Sequence, residues 1–221
     1  MASNISRAQV ASLQSSFEEK MSNLVQQMQS ASQTFTGVVQ KEWADNDSVK
    51  ALNTYKTNMD GFLEELNTNI TAFHDMLQGV CDYYTRNGRM DPITVPAFTK
   101  QVATFMEGEP QNTLDGDRQG LANDNTSADA ILTALKNYKT KCNTIRAIVQ
   151  SSLQSINAFG DPELKQAVAK SGAKIVEILG QHIEKTNKDL DTLIEQAIQS
   201  YKDTATNSTT SATMEVSGGG N

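Results

Sequence analysis

The chain has 221 residues and a formal net charge of −7, and 38% of its residues are hydrophobic but only 6% aromatic. This composition suits the packing of long helices better than a broad globular core, and the acidic charge excludes the basic footprint of a nucleic-acid-binding protein. No stretch approaches the roughly 18 apolar residues of a membrane span, and the first residues lack the apolar run of a signal peptide. We therefore expect a soluble protein, either cytoplasmic or, if it leaves the cell, carried by a route that needs no cleaved signal peptide.

Helical periodicity covers most of the chain, because apolar residues recur at spacings of three and four. The segments predicted to be helices are residues 5–40, 46–86, 128–157 and 162–203. A short corner separates the two helices of each pair, so each pair is predicted to form an antiparallel hairpin. The residues predicted to face the core include Phe17, Phe35, Val38, Leu52, Phe73, Tyr84, Ile131, Tyr138, Ile175, Leu193, Ala197 and Tyr201. The predicted fold class is therefore all-α, with two long antiparallel hairpins in an elongated four-helix bundle.

The polar face of the first helix is unusual because it consists mostly of Ser, Gln, Asn and Thr. Only Arg7, Glu18, Glu19 and Lys20 are charged among the first forty residues. A helix that needs only solubility usually carries more charge. We therefore expect this helix to lie against another segment or protein for much of its length.

The first corner, from Glu42 to Val49, contains the only tryptophan of the chain, Trp43. Asp45 or Asp47 is placed to cap the second helix. A carboxylate at that position accepts hydrogen bonds from the free amides of the first turn and is favoured by the helix dipole. Trp43, Asp45 and Asp47 are therefore the candidate interaction residues of the first hairpin.

The second corner has the same layout, with Phe159 and Gly160 before Asp161, which is the predicted cap of the fourth helix. A proline in the next position suits the first turn of a helix. A shift of 116 residues (161 − 45) places Trp43 on Phe159 and Asp45 on Asp161, and the apolar stripes behind them also match in part. Phe159, Gly160 and Asp161 are therefore the corresponding candidates of the second hairpin.

Residues 88–127 are predicted to connect the two hairpins, and they contain three of the four prolines. A short helix is predicted at 96–107, where Pro96 suits a first turn, and it is expected to cap the open end of the bundle. The face predicted to point inward consists of Phe98, Val102, Phe105 and Met106. The predicted organisation is a first hairpin at 1–87, the connector, a second hairpin at 128–203 and a Ser/Thr/Gly-rich disordered tail at 204–221.

Little in the sequence resembles a catalytic centre. The only histidines, His74 and His182, do not have the spacing of a metal site or a catalytic triad, and His182 is expected to be a core or boundary residue. A nucleophile turn and a phosphate-binding glycine loop are also missing from the sequence. We therefore predict a non-enzymatic protein that needs no cofactor.

Two further features have simple interpretations. Residues 115–126 place Asp115, Asp117 and a glycine as a calcium-binding loop does, but Thr126 stands where the closing glutamate is required, so we expect a polar loop and no metal. Cys81 and Cys142 each stand alone on a predicted helix. They are interpreted as small buried or half-buried thiols, with a single disulfide between them as the alternative.

The first ninety residues resemble the Trp-x-Gly helical-hairpin family that type VII secretion systems export. The resemblance lies in the two helices of about forty residues, in Trp43 at the corner and in the helix restart at Asp45–Val49. It also includes the stripe Leu52, Tyr55, Met59, Leu66, Phe73 and Leu77. The glycine expected two residues after the tryptophan is Asp45 here. The family's export signal, a tyrosine followed four residues later by an acid, is not met at Tyr83, Tyr84 or Tyr201.

The resemblance implies a secreted or secretion-associated protein that acts by protein–protein contacts. Family hairpins pair into four-helix bundles, so the second hairpin here would take the place of a second subunit, and the corner tryptophan would help to present an export surface. The implied partners are a secretion ATPase or another helical-hairpin protein, and the chain would be a monomer or a homodimer.

Two other functions remain open from the residues alone. A membrane-acting helical toxin component is one, but such proteins usually carry an apolar tongue of roughly 18 or more residues, and the nearest candidate, Val95–Met106, is too polar. A phage or cytoplasmic structural bundle is the other. Gene neighbourhood would distinguish these possibilities.

Overall fold

The computed structural model describes residues 6–156 and 161–206, and within them the side chain of Asp124 is left out. The structure is 78% helical and confirms the all-α class. Its four helices are α1, Arg7–Glu42; α2, Asn46–Arg86; α3, Asp124–Gln154; and α4, Pro162–Leu190, which continues through a π-helical turn, Asp191–Glu195, into a last helical stretch at 196–206. This stretch extends three residues beyond the predicted end at 203. The rest of the predicted tail lies outside the described residues.

The chain divides into two compact units, each built from parts of all four helices. The first unit comprises Met1–Gln29, Met59–Ala103 and Cys142–Ile183. The second unit comprises Ser30–Asn58, Thr104–Lys141 and Glu184–Asn221. The first corner, with Trp43 and Asp45, therefore belongs to the second unit. The second corner, with Asp161, belongs to the first unit.

The core of the first unit is aromatic and includes one histidine. Phe17 of α1 packs on Phe73 of α2 with ring centroids 4.1 Å apart. His182 is buried, its ring lies 4.7 Å from that of Phe62, and its Nε2 is 3.2 Å from the sulfur of Met59. His182 is therefore the core histidine that the sequence predicted.

The two cysteines belong to the same core. Cys81 and Cys142 are both buried as thiols, which agrees with the first interpretation and not with the disulfide. Burial raises the pKa of Cys81 to about 11, and the nearby charge of Asp82 adds to this shift. The Cys81 side chain thus packs as a small apolar group rather than as a thiolate.

The core of the second unit is a cluster of three aromatic rings from three helices. Phe35 stacks on Tyr138 at 5.1 Å, and Tyr55 meets both rings edge-on at 5.5–5.6 Å. The hydroxyl of Tyr55 donates to Ser32 Oγ at 2.6 Å, so this buried polar group is satisfied. These contacts join α1, α2 and α3.

The π-helical turn changes which residues of the last helical stretch face the core. Leu193 and Ala197 were predicted to point inward, but both are only partly buried, and the fully buried residues are Ile194 and Ile198. A π-helical turn takes up one residue more than an α-helical turn. The apolar stripe therefore moves by one position at Asp191–Glu195.

The predicted short helix at 96–107 is wrong. Residues 91–105 have no helical hydrogen bonds and run in an extended form along α1 and α2. Val102, predicted to face inward, is 77% exposed. Proline leaves no amide at 92 and 96, and side chains of the neighbouring helices bind the main-chain groups that a helix would have paired internally. We call residues 92–103 the strap.

A short antiparallel ladder departs from the expectation of a purely helical chain. Strand β1, Trp43–Ala44, pairs with strand β2, Gly120–Leu121, with Trp43 opposite Leu121. The amide of Ala122 extends the contact by donating to the carbonyl of Glu42 at 2.8 Å. The end of the connector is therefore fixed to the first corner.

Limited trypsin digestion is expected to cut after Arg118 before it cuts after Lys100. Both residues are exposed, but residues 107–119 form an exposed loop, whereas the amides on either side of Lys100 are bound by side chains of α1 and α2. Mass spectrometry of the early fragments measures the order. A first cut after Lys100, or within 46–86, would contradict the placement of the strap or of the hairpin.

Candidate functional site

At the first corner, Trp43 is buried against the carboxylate of Asp45. The side chain of Trp43 is 1% exposed, and its indole N–H donates to Oδ2 of Asp45 at 2.6 Å. Strand β1 holds the backbone of Trp43 by pairing with β2. The indole therefore stabilises the corner from inside and does not face solvent.

Asp45 also caps the start of α2, as the sequence predicted. Its Oδ1 accepts the amide of Ser48 at 2.8 Å, and its own amide donates to Ser48 Oγ at 2.9 Å. This is the reciprocal pattern of a capping box, with serine in place of the usual glutamate or glutamine. Asp47, the alternative cap, is exposed in the first turn, where its charge still suits the helix dipole.

A tyrosine from the end of the second hairpin completes the first corner. The hydroxyl of Tyr201 donates to Oδ2 of Asp45 at 2.6 Å. Its ring lies beside Gly120, which has a φ of +102° that glycine adopts readily. Burial and the hydrogen bond to Asp45 raise the pKa of Tyr201 to about 12, so its hydroxyl keeps its proton at neutral pH. We call Asp45 and Tyr201 the first corner pair.

The second corner repeats this arrangement. Asp161 is 1% exposed, and its Oδ1 accepts the amides of Glu163 and Leu164 at 3.0 and 2.9 Å. Its Oδ2 accepts a short hydrogen bond from the hydroxyl of Tyr84, near the end of α2. Burial and this bond raise the pKa of Tyr84 to about 12. We call Asp161 and Tyr84 the second corner pair.

The two corner pairs cross between the hairpins. Asp45 of the first hairpin binds Tyr201 of the second, and Asp161 of the second binds Tyr84 of the first. Both carboxylates were predicted from the sequence, but the tyrosine that binds each of them was not. The available signal was a tyrosine at the end of each apolar stripe, because a buried phenol needs a hydrogen-bond acceptor.

The structure brings together only some of the predicted candidates. Trp43 and Asp45 lie in one corner, and Asp161 lies in the other. Phe159 and Gly160 lie outside the described residues. Among the hydrogen bonds described, Asp47 forms none with either corner pair, but its charge contributes to the raised pKa of Tyr201.

The chemistry available at the corners is structural. Each carboxylate binds a helix N-terminus through one oxygen and a phenol through the other, so both oxygens are occupied. Within the described ranges, no group of three or more His, Cys, Asp or Glu side chains could hold a metal ion. At the start of the segment 115–126, which the sequence predicted to be a polar loop, Leu114 pairs with Arg118 across a tight turn.

The second unit also has an open groove between α1 and α3, with a volume of about 750 Å³. Its floor is apolar and includes Phe35 and Tyr138, while small side chains line both walls. An apolar groove of this kind on a protein surface is typical of a contact site for another molecule.

None of the helices in the described part of the chain combines the length and the apolar character that a membrane span requires.

Comparison with protein-family models, with curated proteins and with solved structures finds no match to this chain.

Proposed function

We propose that the protein is a non-enzymatic helical protein of the type VII secretion kind, exported without a cleaved signal peptide and active through protein–protein contacts. The crossed corner pairs carry this proposal. Each hairpin supplies the tyrosine that completes the corner of the other, which is what two paired hairpin subunits would do for each other. The second hairpin takes the place of a partner subunit in the same chain.

Trp43 has a different role in this proposal from the one that the family resemblance implies. A tryptophan that presents an export surface should be largely exposed, and Trp43 is buried on Asp45. The proposal therefore assigns Trp43 to the stability of the corner. The apolar groove between α1 and α3 supports a contact function at another part of the surface.

Export is tested in a bacterium that has a type VII secretion system. An epitope-tagged chain should accumulate in the medium of the parent strain and remain in the cells of a strain that lacks the membrane-bound secretion ATPase. A cytosolic marker protein measures lysis in both cultures. Equal amounts of the chain in both media, or none in either despite normal expression, would refute the secretion proposal.

A further inference from the structure

The main chain of the strap is bound by side-chain amides of α2. Asn67 accepts the amide of Gln101 at 2.8 Å and donates to the carbonyl of the same residue at 2.9 Å. Gln78 accepts the amide of Val95 at 2.7 Å and donates to the carbonyl of Ile93 at 3.1 Å. These contacts use only groups that every peptide has, so they do not depend on the side chains of the bound segment.

Helix α1 binds the other edge of the strap in the same way. Gln14 donates to the carbonyl of Pro96 at 3.1 Å, and Glu18 accepts the amide of Thr99 at 2.7 Å. No backbone–backbone hydrogen bond is described for residues 92–103. The main chain of the strap is therefore fixed by hydrogen bonds to side chains of α1 and α2, and not by the backbone hydrogen bonds of a β-ladder or a helix.

Three inward side chains at the centre of the strap are spaced three residues apart. Val95 and Gln101 are buried, and the ring of Phe98 lies 5.5 Å from Phe17 and 5.6 Å from Phe73. A period of three is that of a polyproline II helix, whose main chain makes no internal hydrogen bonds and is open to such contacts. An aromatic groove with polar hydrogen-bonding groups is also how proline-rich peptides are recognised.

Bonds within α2 hold the amides of the groove in position. Asn67 donates to the carbonyl of Leu63 at 3.0 Å, and Gln78 donates to Asp82 Oδ1 at 2.8 Å. Because these bonds do not involve the strap, the two amides should keep their orientation when it leaves. An ordered groove of this kind avoids part of the entropy cost of binding.

We propose that the groove between α1 and α2 in the first unit is a binding site for an extended, proline-containing peptide, and that the strap is its intramolecular ligand. This inference deepens the proposed contact function by naming a class of partner. The groove binds main-chain groups through Asn67, Gln78, Gln14 and Glu18, and it accepts one aromatic side chain beside Phe17.

The test uses the full chain with its own strap disengaged by Val95→Asp and Phe98→Asp. A fluorescent synthetic peptide of residues 90–104 is the probe, and fluorescence anisotropy measures binding. We expect the peptide to bind the disengaged chain at least about tenfold more tightly than the wild-type chain, because the intact strap competes for the groove.

A matched pair of asparagines on α2 provides the control. In the disengaged chain, Asn67→Ala should weaken binding of the peptide at least about tenfold, since two hydrogen bonds to its main chain are lost. Asn69→Ala should leave binding unchanged, because the one hydrogen bond of the Asn69 amide within the described ranges goes to the carbonyl of Glu65 in its own helix. Equal effects of the two substitutions would overturn the proposal.

A second peptide tests the ligand class. Replacing the exposed Thr94, Ala97 and Lys100 by serine in the peptide should leave its affinity within about threefold, whereas a tenfold loss would show that the groove recognises sequence rather than main chain. A disengaged chain that keeps its helical circular dichroism but binds no peptide would also refute the proposal.

If the disengaged chain does not fold, the proposal is tested instead by amide hydrogen exchange on the wild-type chain. A saturating amount of peptide should accelerate exchange at the amides of Val95 and Gln101 by at least about threefold. Unchanged exchange would overturn the proposal. Peptide binding is measured with the purified chain, so its failure leaves the export proposal standing, and failed export leaves the peptide site standing.

Discussion

Replacing Trp43 with alanine is expected to lower the free energy of unfolding by about 3–5 kcal/mol, the range measured for removing a fully buried large aromatic side chain. Trp43 is among the largest fully buried side chains of the chain. Its removal also takes one hydrogen-bond donor from the buried carboxylate of Asp45. The first corner should therefore lose both packing and a polar partner. Chemical denaturation, monitored by circular dichroism, measures the combined loss in the free energy of unfolding.

The same tryptophan reports directly on its own environment. It is the only tryptophan in the sequence, so the wild-type emission should be blue-shifted and poorly quenched by iodide. Tyr83→Ala, which removes a partly exposed aromatic ring from α2, is the control and should cost much less. A loss below about 1 kcal/mol for Trp43→Ala, together with red-shifted and readily quenched emission, would contradict the burial.

Asp161→Ala is expected to destabilise the protein by about 2–4 kcal/mol, because two losses combine. Removing the cap leaves the amides of Glu163 and Leu164 without their acceptor, which costs about 1 kcal/mol. Removing the carboxylate also leaves the buried hydroxyl of Tyr84 without the acceptor shown here, at a cost of about 1–3 kcal/mol. Urea denaturation of the purified variant measures the loss.

A double-mutant cycle separates the two losses. In a Tyr84→Phe background there is no hydroxyl that could lose its acceptor. Asp161→Ala should then lower the free energy of unfolding only by the contribution of the helix cap, about 1 kcal/mol. Asp47→Ala is the matched control, since this carboxylate is exposed in the first turn of α2 and should contribute less than about 1 kcal/mol. If Asp161→Ala lowered the free energy of unfolding equally in both backgrounds, Asp161 and Tyr84 would not be energetically coupled.

The helices and corners were predictable because local signals specify them. Spacings of three and four in the apolar residues located α1 to α4, and a carboxylate beside each helix start located the caps Asp45 and Asp161. The polar, weakly charged face of α1 also indicated that the helix lies against something. In the structure the strap lies along this face, where Gln14 and Glu18 bind it.

The strap itself was not predictable from local pattern. Phe98, Val102 and Phe105 fit one face of a helix, and Pro96 fits its first turn, so periodicity favoured a helix. Phe105 is buried as that face requires, but Val102 is exposed, and at the centre of the strap the structure buries Val95 and Gln101 and half-buries Phe98. That pattern depends on the amides of Asn67 and Gln78, which lie far from the strap in the sequence, so no local window contains both partners.

The tyrosines of the corner pairs were missed for the same reason. Tyr84 and Tyr201 were predicted as members of apolar stripes, which is correct for the ring of Tyr84 and only partly so for Tyr201, which is 37% exposed. Their hydroxyls bind carboxylates 77 and 156 residues away. Pairing them would have required knowing which end of one hairpin meets the corner of the other.

The wide turn at Asp191–Glu195 also explains how the two hairpins keep equivalent corners despite a difference in length. Leu52 corresponds to Val168 at a shift of 116 residues (168 − 52), but Tyr84 corresponds to Tyr201 at 117 (201 − 84). The second hairpin thus contains one inserted residue between Val168 and Tyr201, and the π-helical turn takes it up. In a regular α-helix that insertion would rotate Tyr201 by about 100° around the helix axis and carry its hydroxyl away from the carboxylate. The turn restores the phase of the helix, so both phenols reach their carboxylates.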